Sequence, residues 1–281
     1  MIYFIHFLRW LKKLIFFPRE FFLIVISDTK KKYFPKKNLE KKNILCIGIP
    51  KSGTTLTEQI LNLVGYIPLD KSPFYVWDNR NLNHPHDISL RMIKNFDDLK
   101  PKYLKLHTHY SEENLNILKK KPLSIIFSFR SLKDIMISRY IHILNDKDHR
   151  LYESIKNLNL IEGFKKSMID KNKKYEDIPI KYYAVWEENW KKNIDNSFED
   201  YLILNFDDFK ENKIMYIGKI LNFLKISDTE SKILMKQIDK EKKDLKQNLD
   251  KIRPSSYNKH QDIKNQLQKF DFESFKKDIL K

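Results

Sequence analysis

Four short apolar runs punctuate the chain, and helical or polar stretches separate them. ILCIGI at 44–49 is continuous and rich in β-branched residues, the pattern of a strand buried on both faces of a parallel sheet. YLKLHTH at 103–109, LSIIFSF at 123–129 and YLILNF at 201–206 read as three further strands. After the first run, TLTEQILNLVGY places Leu56, Ile60, Leu61 and Val64 at helical spacing. After the third, SLKDIMISRYIHIL reads as a helix, and Ser131 and Asp134 form an S-x-x-D capping pattern at its start. The section 151–200 is mostly helical and carries Trp186 and Trp190 one turn apart. IMYIGKILNFLKI is an amphipathic helix, and 228–251 is a charged helical stretch before a polar, Lys-rich tail. Residues 67–100 are irregular, with Pro68, Pro73 and Pro85. Strands alternating with helices predict an α/β fold around a parallel sheet.

The first 27 residues follow a different pattern. They are strongly apolar, yet charges interrupt them before any run reaches the roughly 18 residues of a membrane span. No secretory signal is seen. On a helical wheel His6, Arg9, Lys12, Lys13, Arg19 and Glu20 fall within an arc of about 140°, with Pro18 placed to kink or break the helix. The segment suits a helix lying in a membrane interface; packing on the chain's own core or on another subunit is the competing reading. Residues 28–43 read as a basic linker, and 44–281 as the main domain.

Composition adds less. The formal charge is +17, carried by 46 lysines and only 8 arginines, which compositional bias alone can produce; it also gives a field that attracts anionic ligands. The single cysteine, Cys46, excludes an internal disulfide and a cysteine-based zinc site, and fits a cytoplasmic setting, with peripheral membrane attachment through residues 1–27. With only five glycines in the chain, each is informative.

Two of them frame the candidate chemistry. GIPKSGTT at 48–55 keeps the G-x-x-x-x-G spacing of a nucleotide-binding loop through Gly48 and Gly53. The backbone N–H groups of 51–55 can point at an anion at the helix N-terminus, and Thr54 and Thr55 add hydroxyl donors. The lysine, however, is Lys51, and Thr54 follows the second glycine. That displacement argues against ATP hydrolysis. PKSGTT instead resembles the loop of sulfotransferases that use 3′-phosphoadenosine-5′-phosphosulfate (PAPS). The resemblance implies that Lys51, Ser52, Gly53, Thr54 and Thr55 hold the 5′-phosphosulfate, with Lys51 at the sulfuryl end, in a three-layer P-loop-NTPase-like α/β fold. Leu56 departs from the family's usual Trp.

The same family places an Arg at a strand end and a Ser eight positions later around the 3′-phosphate, and Arg130 and Ser138 match. Arg suits bidentate phosphate contact, and Ser138 returns to the helix face that Ser131 opens. Acceptor activation needs a base near neutrality, usually His. Lys105 and His107 are two apart on a predicted strand and so share a face. They resemble the family's K-T-H, with Leu106 for Thr, which implies His107 as base and Lys105 as charge stabiliser. His109 is a second candidate. YYAVW resembles the family's Y-G-S-W, which puts Tyr183 near the nucleotide. FDDFKEN at 206–212 resembles a further segment and reads as structural. The resemblance runs over about 44–225. The family's C-terminal R-K-G-x-x-G-x-W loop is absent, since no glycine follows Gly218; Arg253 and Lys259 are candidate substitutes.

The expected reaction is therefore sulfuryl transfer from PAPS, with PAP as product and no metal, to a small-molecule, carbohydrate or lipid acceptor. The loop lacks the Mg²⁺-holding pattern, and sulfate carries less charge than phosphate. No nucleic-acid partner is expected; a homodimer stays open. The alternatives are a nucleotide kinase or NTPase, and a membrane-peripheral nucleotide-binding protein without turnover.

Overall fold

A computed structural model of the chain describes residues 39–40, 43–69, 88, 93, 96, 101–147, 149–170, 178–227, 236 and 254–280. The chain divides into two compact units, 1–35 and 36–281. The helix expected at 1–27, nearly all of the 28–43 linker, most of 67–100 and all of 228–251 but residue 236 lie outside the described residues.

The second unit is built on five parallel strands: β1 Asn43–Gly48, β2 Ile67–Pro68, β3 Lys102–Leu106, β4 Ser124–Phe129 and β5 Tyr201–Asn205. Their order across the sheet is β2-β3-β1-β4-β5. β1 and β4 are buried along their whole length, as continuous apolar runs require when helices cover both faces. Register places Cys46 beside Lys105 and Ile126, and Gly48 beside Ser128. The two-residue β2 has no counterpart among the predicted strands.

Alternation sorts each central strand between two cores. Ile44, Cys46 and Ile126 pack with helices α1 (Thr54–Val64) and α8 (Lys213–Phe223), through Leu56, Ile60, Leu61, Ile217 and Ile220. Leu45, Ile47, Ile125, Phe127 and Phe129 face the other way. There they meet α2 (Glu112–Leu118), α3 (Leu132–Asn145), α4 (Tyr152–Ile155), α5 (Leu160–Ile169) and α6 (Pro179–Ser197). The C-terminal helices α9 (Pro254–Gln268) and α10 (Phe272–Leu280) add Leu267 and Phe272 to this second core. The short α7 (Phe206–Glu211) follows β5 directly. The three-layer α/β expectation therefore holds.

The topology locates the site. β1 leads through α1 toward β2 on one side of the sheet, and β4 leads toward β5 on the other. The carboxyl ends of β1 and β4 thus flank a topological switch point, where open parallel sheets leave a crevice. Gly48 and Arg130 stand at those two ends.

Candidate active site

The β1–α1 loop is shaped by its glycines. A Cβ on Gly48 would come within 2.6 Å of the Thr54 methyl and 2.7 Å of Ser52 Oγ. Gly53 caps α1 with φ of 100° and lies so close to Phe206 that a Cβ would sit 2.3 Å from that ring. Lys51 holds φ of 77°, a left-handed backbone that costs a lysine about 1–2 kcal/mol and must be held by its surroundings. Ser52 closes the turn: its N–H and its hydroxyl both donate to the Ile49 carbonyl, at 3.1 and 2.7 Å. Ser52 is fully buried, and its hydroxyl is engaged within the loop. Thr54 is buried with its methyl against Gly48, and Thr55 is exposed. The first internal acceptor in α1, the Gly53 carbonyl, serves Leu56 and Thr57. The N–H groups at the very start of the helix are left to point out of the loop, where an anion is favoured.

Arg130 follows β4 and reaches this loop directly. Its Nη1 donates to the Lys51 carbonyl at 2.9 Å, and its guanidinium lies 5.1 Å from the Phe206 ring centre. Phe206 therefore packs under both Gly53 and Arg130. Burial lowers the Arg130 pKa from its ordinary value, against which Asp134 and Asp207 act. Its Nε is buried without a hydrogen-bond partner, as is Ser128 Oγ beside Gly48 in the sheet. An uncompensated guanidinium edge beside outward-pointing amides fits a phosphorylated ligand, whose oxygens would satisfy both.

The cap of α3 forms differently from the predicted box. Ser131 Oγ accepts from the Asp134 N–H at 3.4 Å, but the return arm comes from Asp207, which accepts from the Ser131 N–H at 2.8 Å. Asp134 instead takes Lys210 and Gln268. Burial alone would raise the Asp134 carboxyl; Lys210, Gln268 and Arg130 outweigh it and hold it at about 2. Lys133 donates to the carbonyls of Gln268 and Phe270, at 2.7 and 2.9 Å. The C-terminal helices are thus tied to the first turn of α3. Ser138 lies two turns on, half-buried. Arg253 lies outside the described residues, and so does the side chain of Lys259.

The third element is β3 and its exit. Lys105 forms an ion pair with Glu58 of α1 at 2.6 Å. The strand ends at Leu106, so His107 is the first residue of the loop, buried, with Nδ1 bonded to the Gly48 carbonyl. A carbonyl only accepts, so Nδ1 carries the proton and the basic lone pair of the neutral ring is on Nε2. The next residue is pinned from the far side: Trp186 and Trp190 both donate to the Thr108 carbonyl, at 2.7 and 3.0 Å. His109 does not continue the strand, and its carbonyl instead accepts from Asn114 at 3.0 Å. The predicted strand to 109 is thus corrected: β3 ends at Leu106, and only an isolated bridge at Thr108 follows, its carbonyl held by the two indoles.

Lys51 and Lys105 are close enough to feel each other: burial first, then the Lys105 charge, lowers the Lys51 ammonium. The structure therefore gathers Lys51, Gly53, Thr54, Lys105, His107 and Arg130 at one end of the sheet. Tyr183 sits one step away, hydrogen-bonded to Arg139 of α3. Phe206 and Asp207 belong to the same end, although FDDFKEN reads as structural from sequence. Sequence alone carried no signal for this: β5 pairs with β4, with Asn205 beside Phe129, which brings the following residues to the Arg130 exit. Among the described residues no group of three or more His, Cys, Asp or Glu could hold a metal ion, and no helix is long and apolar enough to cross a membrane.

No curated protein matches the chain in sequence. Solved structures that resemble it include mouse sulfotransferase SULT7A1 complexed with PAP, at 16% identity over 73% of this chain and 66% of that one, with a TM-score of 0.47. Retinol dehydratase in a complex with retinol and PAP aligns at 16% identity over 72% and 66%, with a TM-score of 0.40. Retinol dehydratase with androsterone and inactive cofactor PAP aligns at 17% over 70% and 65%, also at 0.40. The chain thus spans just under two thirds of the length of each. The sulfotransferase domain model matches residues 41–280, nearly the whole of the second unit. The chain is a member of the sulfotransferase domain family.

Proposed function

We propose that this protein transfers a sulfuryl group from PAPS to a hydroxyl or amine on an acceptor, leaving PAP. The observation that carries the reading is the junction of the Lys51–Thr55 loop with Arg130, two anion-attracting groups joined by a 2.9 Å hydrogen bond and backed by one aromatic ring. A nucleotide phosphorylated at both its 5′ and 3′ positions suits such a pair; a triphosphate does not need the second group.

In this reading the loop N–H groups and Lys51 hold the 5′-phosphosulfate, and Arg130 with Ser138 holds the 3′-phosphate. Tyr183 acts through Arg139, steadying α3. His107 takes the acceptor proton at Nε2 as the acceptor oxygen or nitrogen bonds to sulfur and the bond from sulfur to the phosphate oxygen breaks. The Gly48 carbonyl keeps that tautomer in place. Lys51 and Lys105 offset charge on the bridging and peripheral oxygens, and Glu58 positions Lys105. PAPS is thus the donor substrate, and no metal enters the mechanism.

The acceptor is a small molecule, carbohydrate or lipid. Residues 1–27 are the segment for contact with a membrane surface in a cytoplasmic, peripherally bound protein, and flotation with and without them tests this. Transfer of radiolabelled sulfate from PAPS to a panel of cell extracts tests the main reading, with Lys51→Ala and His107→Ala as controls. Labelled product that both variants abolish supports it. Stabilisation by ATP and not by PAP in a thermal shift would favour a kinase, and PAP binding without turnover a binding protein.

A further inference from the structure

Beyond Ser138, α3 and the turn that follows it carry a group of basic side chains that touch no phosphate in the donor reading. His142 is one turn past Ser138, about 40° around the helix, and so continues the stripe that begins at Arg130 and Ser131. The Lys51 ammonium lies within electrostatic range of His142 and, after burial, lowers its pKa. Arg139 is next to Ser138 and is fixed by donating to the Ser167 carbonyl and by its hydrogen bond with Tyr183. Past the end of α3 the chain turns back. His149 packs edge-on against His142, with ring centres 6.2 Å apart, and its Nδ1 accepts from the Leu151 N–H at 3.1 Å. Arg150 follows and is exposed.

The choice of residue is informative. Lysine outnumbers arginine 46 to 8 in the chain, yet among the described residues the arginines are Arg130, Arg139 and Arg150, all on or beside α3. A solvated charge would be filled by lysine under that bias. Arginine's planar fork matches carboxylate, sulfate and phosphate oxygens in a way an ammonium does not.

Resting on the donor reading above, we propose that the acceptor itself bears an anionic group, a carboxylate or an oxyacid ester. Arg139, His142, His149 and Arg150 would hold it beside Lys51. The local field agrees. Partial burial, then Arg139, His142 and Arg150, drive the His149 pKa down to about 4, and Asp146 opposes them only in part. Partial burial, Lys51 and Arg139 lower His142 likewise, again against Asp146. Asp170 faces Arg139 from the end of α5. Positive neighbours that lower both imidazoles are ones beside which an anion is stabilised, and a bound anion then lets the imidazoles add charged donors. The group reads the acceptor's non-reacting end, while His107 addresses the reacting one.

The test uses the full chain saturated with PAP and follows the histidine side chains by NMR, with His142 and His149 assigned from His142→Asn and His149→Asn. The probes are charge-matched pairs: glucuronate against glucose, and 4-hydroxyphenylacetate against 4-methylphenol. The charged member of at least one pair should raise the His149 titration from near 4 by one unit or more, and its neutral counterpart should leave it in place. Arg150→Gln, at an exposed position, should weaken that probe about tenfold and leave PAP affinity unchanged. Normal PAP binding with no response to either charged probe, or equal responses to charged and neutral members, overturns the proposal. Failure to bind PAP at all overturns the donor reading, and this inference with it.

Discussion

Arg130 donates to the backbone carbonyl of Lys51 at 2.9 Å, 79 residues away in sequence. This contact makes one unit of two features that read separately in sequence. It holds the left-handed Lys51 in place, and it fixes the guanidinium with its Nε buried and without a hydrogen-bond partner. A ligand that supplies oxygens to the loop amides and to the guanidinium together would be gripped by both.

The loop's glycine tests the packing half of that arrangement. Gly53→Ala should lower the thermal midpoint, because it forces an alanine to φ of 100° and drives its methyl into Phe206. Phe206→Ala in the same chain removes the second cost and leaves about 1–2 kcal/mol from the backbone. The loss caused by Gly53→Ala should therefore be smaller in the Phe206→Ala background than in the wild type. Equal losses in both backgrounds would show that the ring does not limit the loop.

His107→Asn should retain PAP affinity and lose turnover by roughly 10²–10⁴-fold, the range for a general base. The amide can keep the hydrogen bond to the Gly48 carbonyl, so the loop stays in place while the basic nitrogen is gone. Steady-state rates beside calorimetric PAP titrations separate the two. A parallel loss of PAP binding would make His107 a structural residue.

Asp134 gives a pH signature. Its folded-state pKa of about 2 lies below the ordinary carboxylate value of 3.8, so its link to Lys210 and Gln268 contributes stability that is fully present above about pH 4. That contribution fades as the pH falls toward 2. Asp134→Asn should thus lower the thermal midpoint at pH 7, and the gap from the wild type should close between about pH 4 and pH 2. A gap that does not change with pH would mean the carboxylate charge is not what ties the C-terminal helices to α3.

Much of this was legible in the chain. ILCIGI and LSIIFSF are buried on both faces, and such strands must be unbroken apolar runs. The order strand, PKSGTT, helix needed no tertiary information, nor did the Arg130 to Ser138 spacing. What could not be read was set by partners distant in sequence. Just past the end of β3, the Thr108 carbonyl is held by Trp186 and Trp190, from 78 and 82 residues away. The second arm of the α3 cap is Asp207, not Asp134, because β5 lies against β4 and delivers α7 to that helix start. Ser52 reads as a ligand in the motif; that its hydroxyl also donates the bond that closes the turn was not legible.

The most direct measurement of the two-ended grip is a calorimetric comparison of PAP with adenosine 5′-monophosphate, on the wild type and on Arg130→Lys. The wild type should prefer PAP. Arg130→Lys should lose about 1.5–3 kcal/mol more toward PAP than toward the monophosphate, which has no 3′-phosphate to hold and feels only the loosened Lys51 loop. An equal loss for both nucleotides, or none for either, would contradict the account.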